Sequence, residues 1–313
     1  MLGISNGNSK NSSSWSLAQA SVDGLIQAIQ AGRNEVFSSY LETMARFHTY
    51  SARNVLLIAA QRPDATRLEG VRSWNELNRF VRPGEKGIFI FAPTVGFTKK
   101  EQKPTPDDNG HGNTKENGNG KKNGKAKNAA ESVTNPPEQE AHLLGFRGVY
   151  VFDVSQTGGE ELPQSPQTFD IAEELERLLD FAESRQMTIE YSDRMAPAKG
   201  TSYRGLIRLA LGMEPAEAFP VLLREVASQL LYQIERRTFV TRALHQQETK
   251  AAAFVVLEAL GLDSKAQFAE CQLYYGDARL LTESLEVVHR TAAQILGGII
   301  PQAGQGKSAQ GVQ

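Results

Sequence analysis

Between Lys99 and Glu140 the chain offers almost nothing to bury: eight lysines, seven carboxylates, five glycines, seven asparagines and a single large aliphatic residue, Val133. Such a stretch cannot remove enough apolar surface from water to offset the entropy of ordering it, so 99–140 is expected to be a disordered insertion. Whatever folds must be built from the residues on either side. Immediately before it stands Gly87-Ile-Phe-Ile-Phe91, and after it Gly148-Val-Tyr-Val-Phe152. These β-branched and aromatic runs, bounded by Gly, Pro and Asp, read as paired strands of a hairpin that carries the insertion.

The rest of the first half is helical by spacing. Val22, Leu25, Ile26 and Ile29, then Phe37, Tyr40, Leu41, Met44 and Phe47, recur at steps of three and four, which predicts two helices broken near Gly32. A third is expected over Arg53–Gln61, closed by Pro63, and a short fourth starting at Ser73 as N-cap and using Trp74 and Leu77. Beyond Pro163 the spacing predicts helices at about Thr168–Arg185, Ala216–Arg236, Ala243–Leu260, Ser264–Tyr275 and Ala278–Leu296. Strands are expected at Met187–Tyr191 and Gly205–Leu211. With 313 residues, two domains are the default. The expected division is a 1–20 disordered tail, a first domain over 21–165, a second over 166–300 and a disordered 301–313 tail, with an α+β fold throughout.

Charge separates the two halves. From Arg46 to Pro93 eight cations (seven Arg and Lys86) face four carboxylates, a local balance of +4, whereas Glu160–Ile300 holds 21 acidic against 14 basic residues, a balance of -7, in a chain whose total is -2. A polyanion partner suits the first half and not the second. Arginine's planar fork binds phosphate and stacks on bases, and aromatic rings accept unpaired bases on their faces, so cations interleaved with aromatics make a single-strand groove. The candidates are Arg53, Arg72, Arg79, Arg82 and Lys86, with Tyr50 and Trp74 as stacking platforms; for Trp74, burial in the core is the competing role. The turn Arg82-Pro-Gly-Glu-Lys-Gly87 brings backbone amides close to an anion, yet lacks the glycine–lysine spacing of a nucleotide-hydrolysing loop.

Cys271 is the only cysteine, which excludes an intrachain disulfide and a thiolate zinc cluster and fits a reducing compartment. The polar start MLGISNGNSKNSSSWSL resembles no secretory signal, and no run approaches the ~18 apolar residues of a membrane span. The expectation is a soluble cytoplasmic protein with no membrane partner and no cofactor.

In the second half, Phe219-Pro-Val-Leu-Leu-Arg-Glu-Val-Ala-Ser-Gln-Leu-Leu-Tyr232 follows a strand-like run as a helix, in the manner of zinc peptidases. There, two His at i and i+4 hold the metal and the intervening Glu activates water. Glu225 stands at the glutamate position, but Arg224 and Ser228 stand where the histidines belong. A guanidinium cannot be deprotonated to ligate a metal and a serine hydroxyl is a poor zinc ligand. Glu225, His245 and Glu248 remain the only groups that could meet to rebuild a site, and Arg224 could instead fill the vacated position and pair with Glu225 or Glu248.

The stretches SARNVLLIAAQRPDATRLEGVRSW and VRPGEKGIFIFAP within Phe47–Pro93, FRGVYVFDVSQTGGEELP over Phe146–Pro163, and ETKAAAFVVLEALGLD with YYGDARLLTESLEVVHRTAAQIL over Glu248–Leu296 together resemble the ArdC-type antirestriction proteins of plasmids and other mobile elements. The resemblance implies a helical and β-hairpin domain that binds single-stranded DNA, followed by a mostly helical zincin-like metallopeptidase domain with a small sheet. It places the family's His-Glu-x-x-His motif on Arg224–Ser228 and its downstream acidic ligand on Glu248. Both histidines are replaced here, so the resemblance implies a non-enzymatic pseudo-peptidase with a vestigial Glu225, no bound metal, single-stranded DNA as partner, and a host or mobile-element protein as a further candidate partner. Two other readings stay open: a divergent zinc peptidase using Glu225 and Glu248, and a protein-interaction module.

Overall fold

The apolar spacing of the first fifty residues produces two helices, α1 (Ser9–Gln30) and α2 (Asn34–Arg46), in a computed structural model that describes residues 9–99, 139–162, 170–195, 197–235, 240–265 and 278–300. Helix α1 begins well inside the segment expected as a disordered tail. Part of the reason is Trp15, which is half-buried and packs its ring against Phe89 and Phe91. Most of the 99–140 insertion, most of the helix expected over Ser264–Tyr275, Cys271 and the 301–313 tail lie outside the described residues.

Helix α3 (Ala52–Gln61) is capped by Ser51, whose hydroxyl accepts from Asn54 N at 3.3 Å. Helix α4 (Val71–Glu76) starts earlier than the spacing predicts. Gly70, with extended backbone, is its N-cap, and Trp74 N already donates to Gly70 O at 3.0 Å, so Ser73 lies within the first turn rather than before it.

Three short strands without a legible alternation join the expected pair. They are β1 (Leu68–Glu69), β2 (Arg79–Val81) and β5 (Thr157–Gly159), alongside β3 (Ile88–Lys99) and β4 (Gln139–Asp153), both longer than the sequence runs that predict them. Strand β4 lies between β1 and β3, with β1 antiparallel to it, and β2 pairs antiparallel with β5 from Arg79↔Gly159 to Val81↔Thr157. A single 3-10 turn, Val154–Gln156, links β4 to β5. The period-2 geometry of β3 sends Ile88 and Ile90 into the main core and Phe89 and Phe91 to the opposite face.

The second half runs α5 (Ile171–Ser184), β6 (Thr188–Ser192), β7 (Gly200–Tyr203), β8 (Leu206–Ala210), α6 (Pro215–Gln233), α7 (Arg242–Ala259) and α8 (Ala278–Ile299). Its sheet is ordered β6-β8-β7, with β6 parallel and β7 antiparallel to β8. The architecture is α+β. Elements on both sides of residue 165 feed one buried cluster, in which Leu41 and Met44 of α2 join Phe254 of α7 and Leu285 and Ile295 of α8.

Residues 1–91 with 148–313 form one compact unit and 92–147 a second. In the second unit the described strand residues leave Val95, Leu143, Leu144 and Phe146 largely exposed.

Candidate nucleic-acid interface

Two amide side chains on α3 fix the strand that carries the interface. Asn54 Nδ2 donates to Phe91 O at 2.8 Å while its Oδ1 accepts from Phe91 N at 2.9 Å, and Gln61 Nε2 donates to Phe89 O at 2.9 Å while its Oε1 accepts from Phe89 N at 2.9 Å. The amides do for this edge of β3 what a neighbouring strand would do, satisfying its backbone and closing it to further pairing. On the outward face, Trp15 and Phe91 meet edge to face at 5.2 Å, Phe91 and Phe89 at 5.5 Å, and Phe89 and Tyr150 at 5.8 Å. The exposed Arg53 lays its guanidinium 4.8 Å from the Trp15 ring centre and 4.5 Å from that of Phe91. The Phe89 ring covers Gly148 so closely that a Cβ there would lie 2.5 Å from it.

At the near end of this strip is the Arg82–Gly87 turn. Gly84 adopts φ 86°, a left-handed conformation that favours glycine, and the Gly87 Cα is close enough to Tyr150 that an added Cβ would lie 2.9 Å from Tyr150 Cβ. Gln156 holds the turn from below by donating to Lys86 O at 2.8 Å and Glu85 Oε2 at 3.1 Å. These bonds and the Arg82 ion pair keep the Glu85 carboxyl below the usual glutamate range. Beside the turn lies an open groove of about 720 Å³ lined by Ser21, Gln61, Arg62, Lys86 and Gly87 among others.

The cations singled out in the sequence divide into two groups. Arg53, Arg72, Arg82 and Lys86 are exposed, although Arg82 also donates to Ser155 O and pairs with Glu85 at 3.2 Å. Arg79 instead stitches β2 to β5, with Nε donating to Thr157 Oγ1 at 2.9 Å and Nη1 to Glu160 O, so its fork is already committed.

Of the two stacking candidates, Trp74 does not keep that role. Trp74 is 0% exposed, its indole N–H donates to Phe152 O at 2.9 Å, and Arg67 rests over its ring at 5.8 Å; no ring face is left for a base. Tyr50 is half-buried against Phe47, with its hydroxyl directed at Leu68 O, and burial together with the nearby Glu69 pushes its phenol up to about 12. The aromatic residues that do line the surface, Trp15, Phe91 and Tyr150, were missed. Phe89 and Phe91 at i, i+2 were a legible signal for one of them; Trp15, in a polar tail, gave none.

In the second half, Arg224 Nε stands 3.6 Å from Glu225 Oε1, and Glu225 Oε2 accepts from Ser202 of β7 at 2.8 Å. Ser228 Oγ and His245 Nε2 are hydrogen-bonded at 3.0 Å, and the His245 ring stacks on Tyr232 at 3.8 Å and 27°. Glu248 is fully buried and accepts from Ser284 of α8 at 2.5 Å. Among the described residues no three His, Cys, Asp or Glu side chains gather as a metal-binding set. At the two positions where zinc peptidases carry histidines stand a guanidinium, which cannot ligate zinc, and a hydroxyl, which is a poor ligand for it.

A family model described as the N-terminal domain of anti-restriction factor ArdC matches residues 16–134. Residues 16–134 resemble that ArdC N-terminal domain. The matched span holds α1 from residue 16 onward, α2 to α4, the Arg82–Gly87 turn, Arg53 and the aromatic residues of β3, and leaves Trp15 and Tyr150 outside it. Among solved structures the chain is similar to the antirestriction protein ArdC from plasmid R388. The metal-free form is 15% identical with a TM-score of 0.46, over 90% of this chain and 97% of that one. The Mn(II)-bound form is 17% identical with a TM-score of 0.47, over 91% and 98%. At those scores the likeness carries no argument about the site. No curated protein matches the chain. No described helix is long and apolar enough to cross a membrane.

Proposed function

We propose that this protein binds single-stranded DNA through the cationic face of its ArdC-type domain, in an antirestriction-like role for a plasmid or other mobile element, within the cytoplasm. The observation that carries the reading is the set of exposed cations Arg53, Arg72, Arg82 and Lys86 on a domain whose Arg46–Pro93 segment holds a charge of +4. Phosphates displaced onto such cations release counterions, so affinity falls steeply with salt, with a logarithmic slope of about -0.7 per phosphate contact on a single strand. The triple variant Arg72→Ala/Arg82→Ala/Lys86→Ala is expected to bind a single-stranded oligonucleotide more weakly whatever its sequence, and its salt slope to be shallower by about 2. Affinity and slope equal to those of the unaltered protein would remove this face from the interface.

The second half acts in this reading as a scaffold descended from a peptidase and no longer hydrolytic. The Arg224–Glu225 contact and the Ser228–His245 hydrogen bond support it, because the side chains at both histidine positions are engaged with neighbours and neither donates an electron pair suited to Zn²⁺. The expected outcome is no stoichiometric metal by elemental analysis after incubation with Zn²⁺ or Mn²⁺, and no chelator-sensitive cleavage of a casein substrate. Zinc retained at one equivalent and lost in Glu225→Ala or Glu248→Ala would instead establish a divergent metallopeptidase.

A further inference from the structure

We propose that the strip formed by Trp15, Phe91 and Tyr150, with Arg53 laid across it, is the surface on which unpaired DNA bases stack; the inference rests on the single-strand reading and names the place where bases, as opposed to phosphates, are held. Three observations converge on it. The rings form a chain of edge and tilted contacts from Trp15 through Phe91 and Phe89 to Tyr150, at centroid distances of 5.2, 5.5 and 5.8 Å. Only Phe89 is buried; Trp15 and Phe91 are half-buried and Tyr150 is 46% exposed. Trp15 and Phe91 pack on the small cluster of Leu57 and Phe89 and still present part of their surface to solvent beside the exposed Tyr150, which suits a planar ligand that stacks on the exposed ring surface.

Arg53 decides in favour of nucleic acid over an apolar protein segment. Its guanidinium covers the Trp15 and Phe91 rings at 4.8 and 4.5 Å, so any occupant meets a fixed positive plane in the middle of the strip. An apolar segment would have to desolvate that charge without a partner, whereas a base stacks on the guanidinium plane and the adjoining phosphate satisfies its donors. The strip also ends at the Arg82–Gly87 turn: Tyr150 abuts Gly87, next to the exposed Lys86 and a groove whose lining sets Arg62 and Lys86 beside Asp64 and Glu85. A single strand running along it would alternate base contacts and phosphate contacts without leaving the surface. Strand β3 is held by the Asn54 and Gln61 amide pairs, so Phe91 is presented on a backbone that does not have to be ordered at the moment of binding.

The protein supplies its own reporter. It has two tryptophans; Trp74 is fully buried and Trp15 is half-buried. Adding an oligothymidylate at low salt is expected to quench tryptophan emission, and Trp15→Phe to abolish the quenching while keeping most of the affinity. Trp15→Ala combined with Tyr150→Ala is expected to lower affinity for the oligothymidylate by tenfold or more, yet to leave binding to an abasic oligonucleotide of equal length unchanged. The unaltered protein should prefer the base-bearing strand. If it binds the abasic strand equally well, or if the double variant, folded by circular dichroism, binds oligothymidylate normally, the platform is wrong and the phosphate-binding reading stands. If the unaltered protein binds neither strand, both are wrong. Should the double variant fail to fold, Tyr150→Ala alone is the test: a weaker preference for the base-bearing over the abasic strand supports the platform, and an unchanged preference overturns it.

Discussion

Four donor groups converge on one side chain at Asp153. Its Oδ1 accepts from Thr66 N at 2.7 Å and Arg67 N at 3.0 Å, and its Oδ2 from Ser155 N at 2.9 Å and from the Ser155 hydroxyl. Burial opposes the charge, but the Ser155, Thr66 and Arg67 bonds outweigh it and hold the carboxyl below the usual aspartate range. Asp153→Ala would leave three backbone amides without their acceptor, at an expected loss of roughly 3 kcal/mol in urea denaturation. His289 of α8 shows the same sign of linkage at a higher pH. Burial, and secondarily the charge of His48, lowers its pKa to about 4 from 6.5, against backbone hydrogen bonds to Tyr50 and His48 that raise it. The folded protein therefore keeps this imidazole neutral where the unfolded chain takes up a proton. Its contribution to stability is intact above pH 6.5 and declines as pH falls toward 4, by at most roughly 3 kcal/mol. The difference in melting temperature between His289→Gln and the unaltered protein should change across that window and be flat above it. Side chains of this kind are the least legible in a sequence: Trp74 on a short helix among arginines suits a base platform and a core plug equally, and only the nearby Phe152 carbonyl, distant in the chain, decides.

At the scale of elements, periodicity was the dependable guide. Helices α3, α5, α6 and α7 lie within about three residues of the expected bounds, because their apolar faces repeat at helical spacing over more than two turns. Strands β1, β2, β5 and β7 were missed since two to four residues hold no alternation to read, and β1, β2 and β5 depend on partners far away in sequence. The central strand pair was legible, but the reason Gly148 must be glycine was not: the Phe89 ring lies where a side chain would go. Gly148→Ala is expected to displace Phe89, costing about 1–3 kcal/mol of stability, and to alter the emission of Trp15, which touches that ring. Unchanged melting temperature and emission would mean that β3 and β4 adjust without repacking.

For the whole molecule, charge separation is the property from which function follows. The positive Arg46–Pro93 segment and the negative Glu160–Ile300 segment lie in one chain of near-neutral total, so a polyanion is drawn to one part and turned away from the other. That separation was legible in the sequence. The shared core of the two segments was not, because the α2–α7 packing joins residues about two hundred positions apart. The direct test of the account is a fluorescence polarisation titration of the full-length protein against single- and double-stranded oligonucleotides of one length at 50 mM and 200 mM salt. Tighter binding of the single strand, weakening steeply at the higher salt, is the predicted result; equal affinity for duplex, or no binding of the single strand at 50 mM, would contradict it.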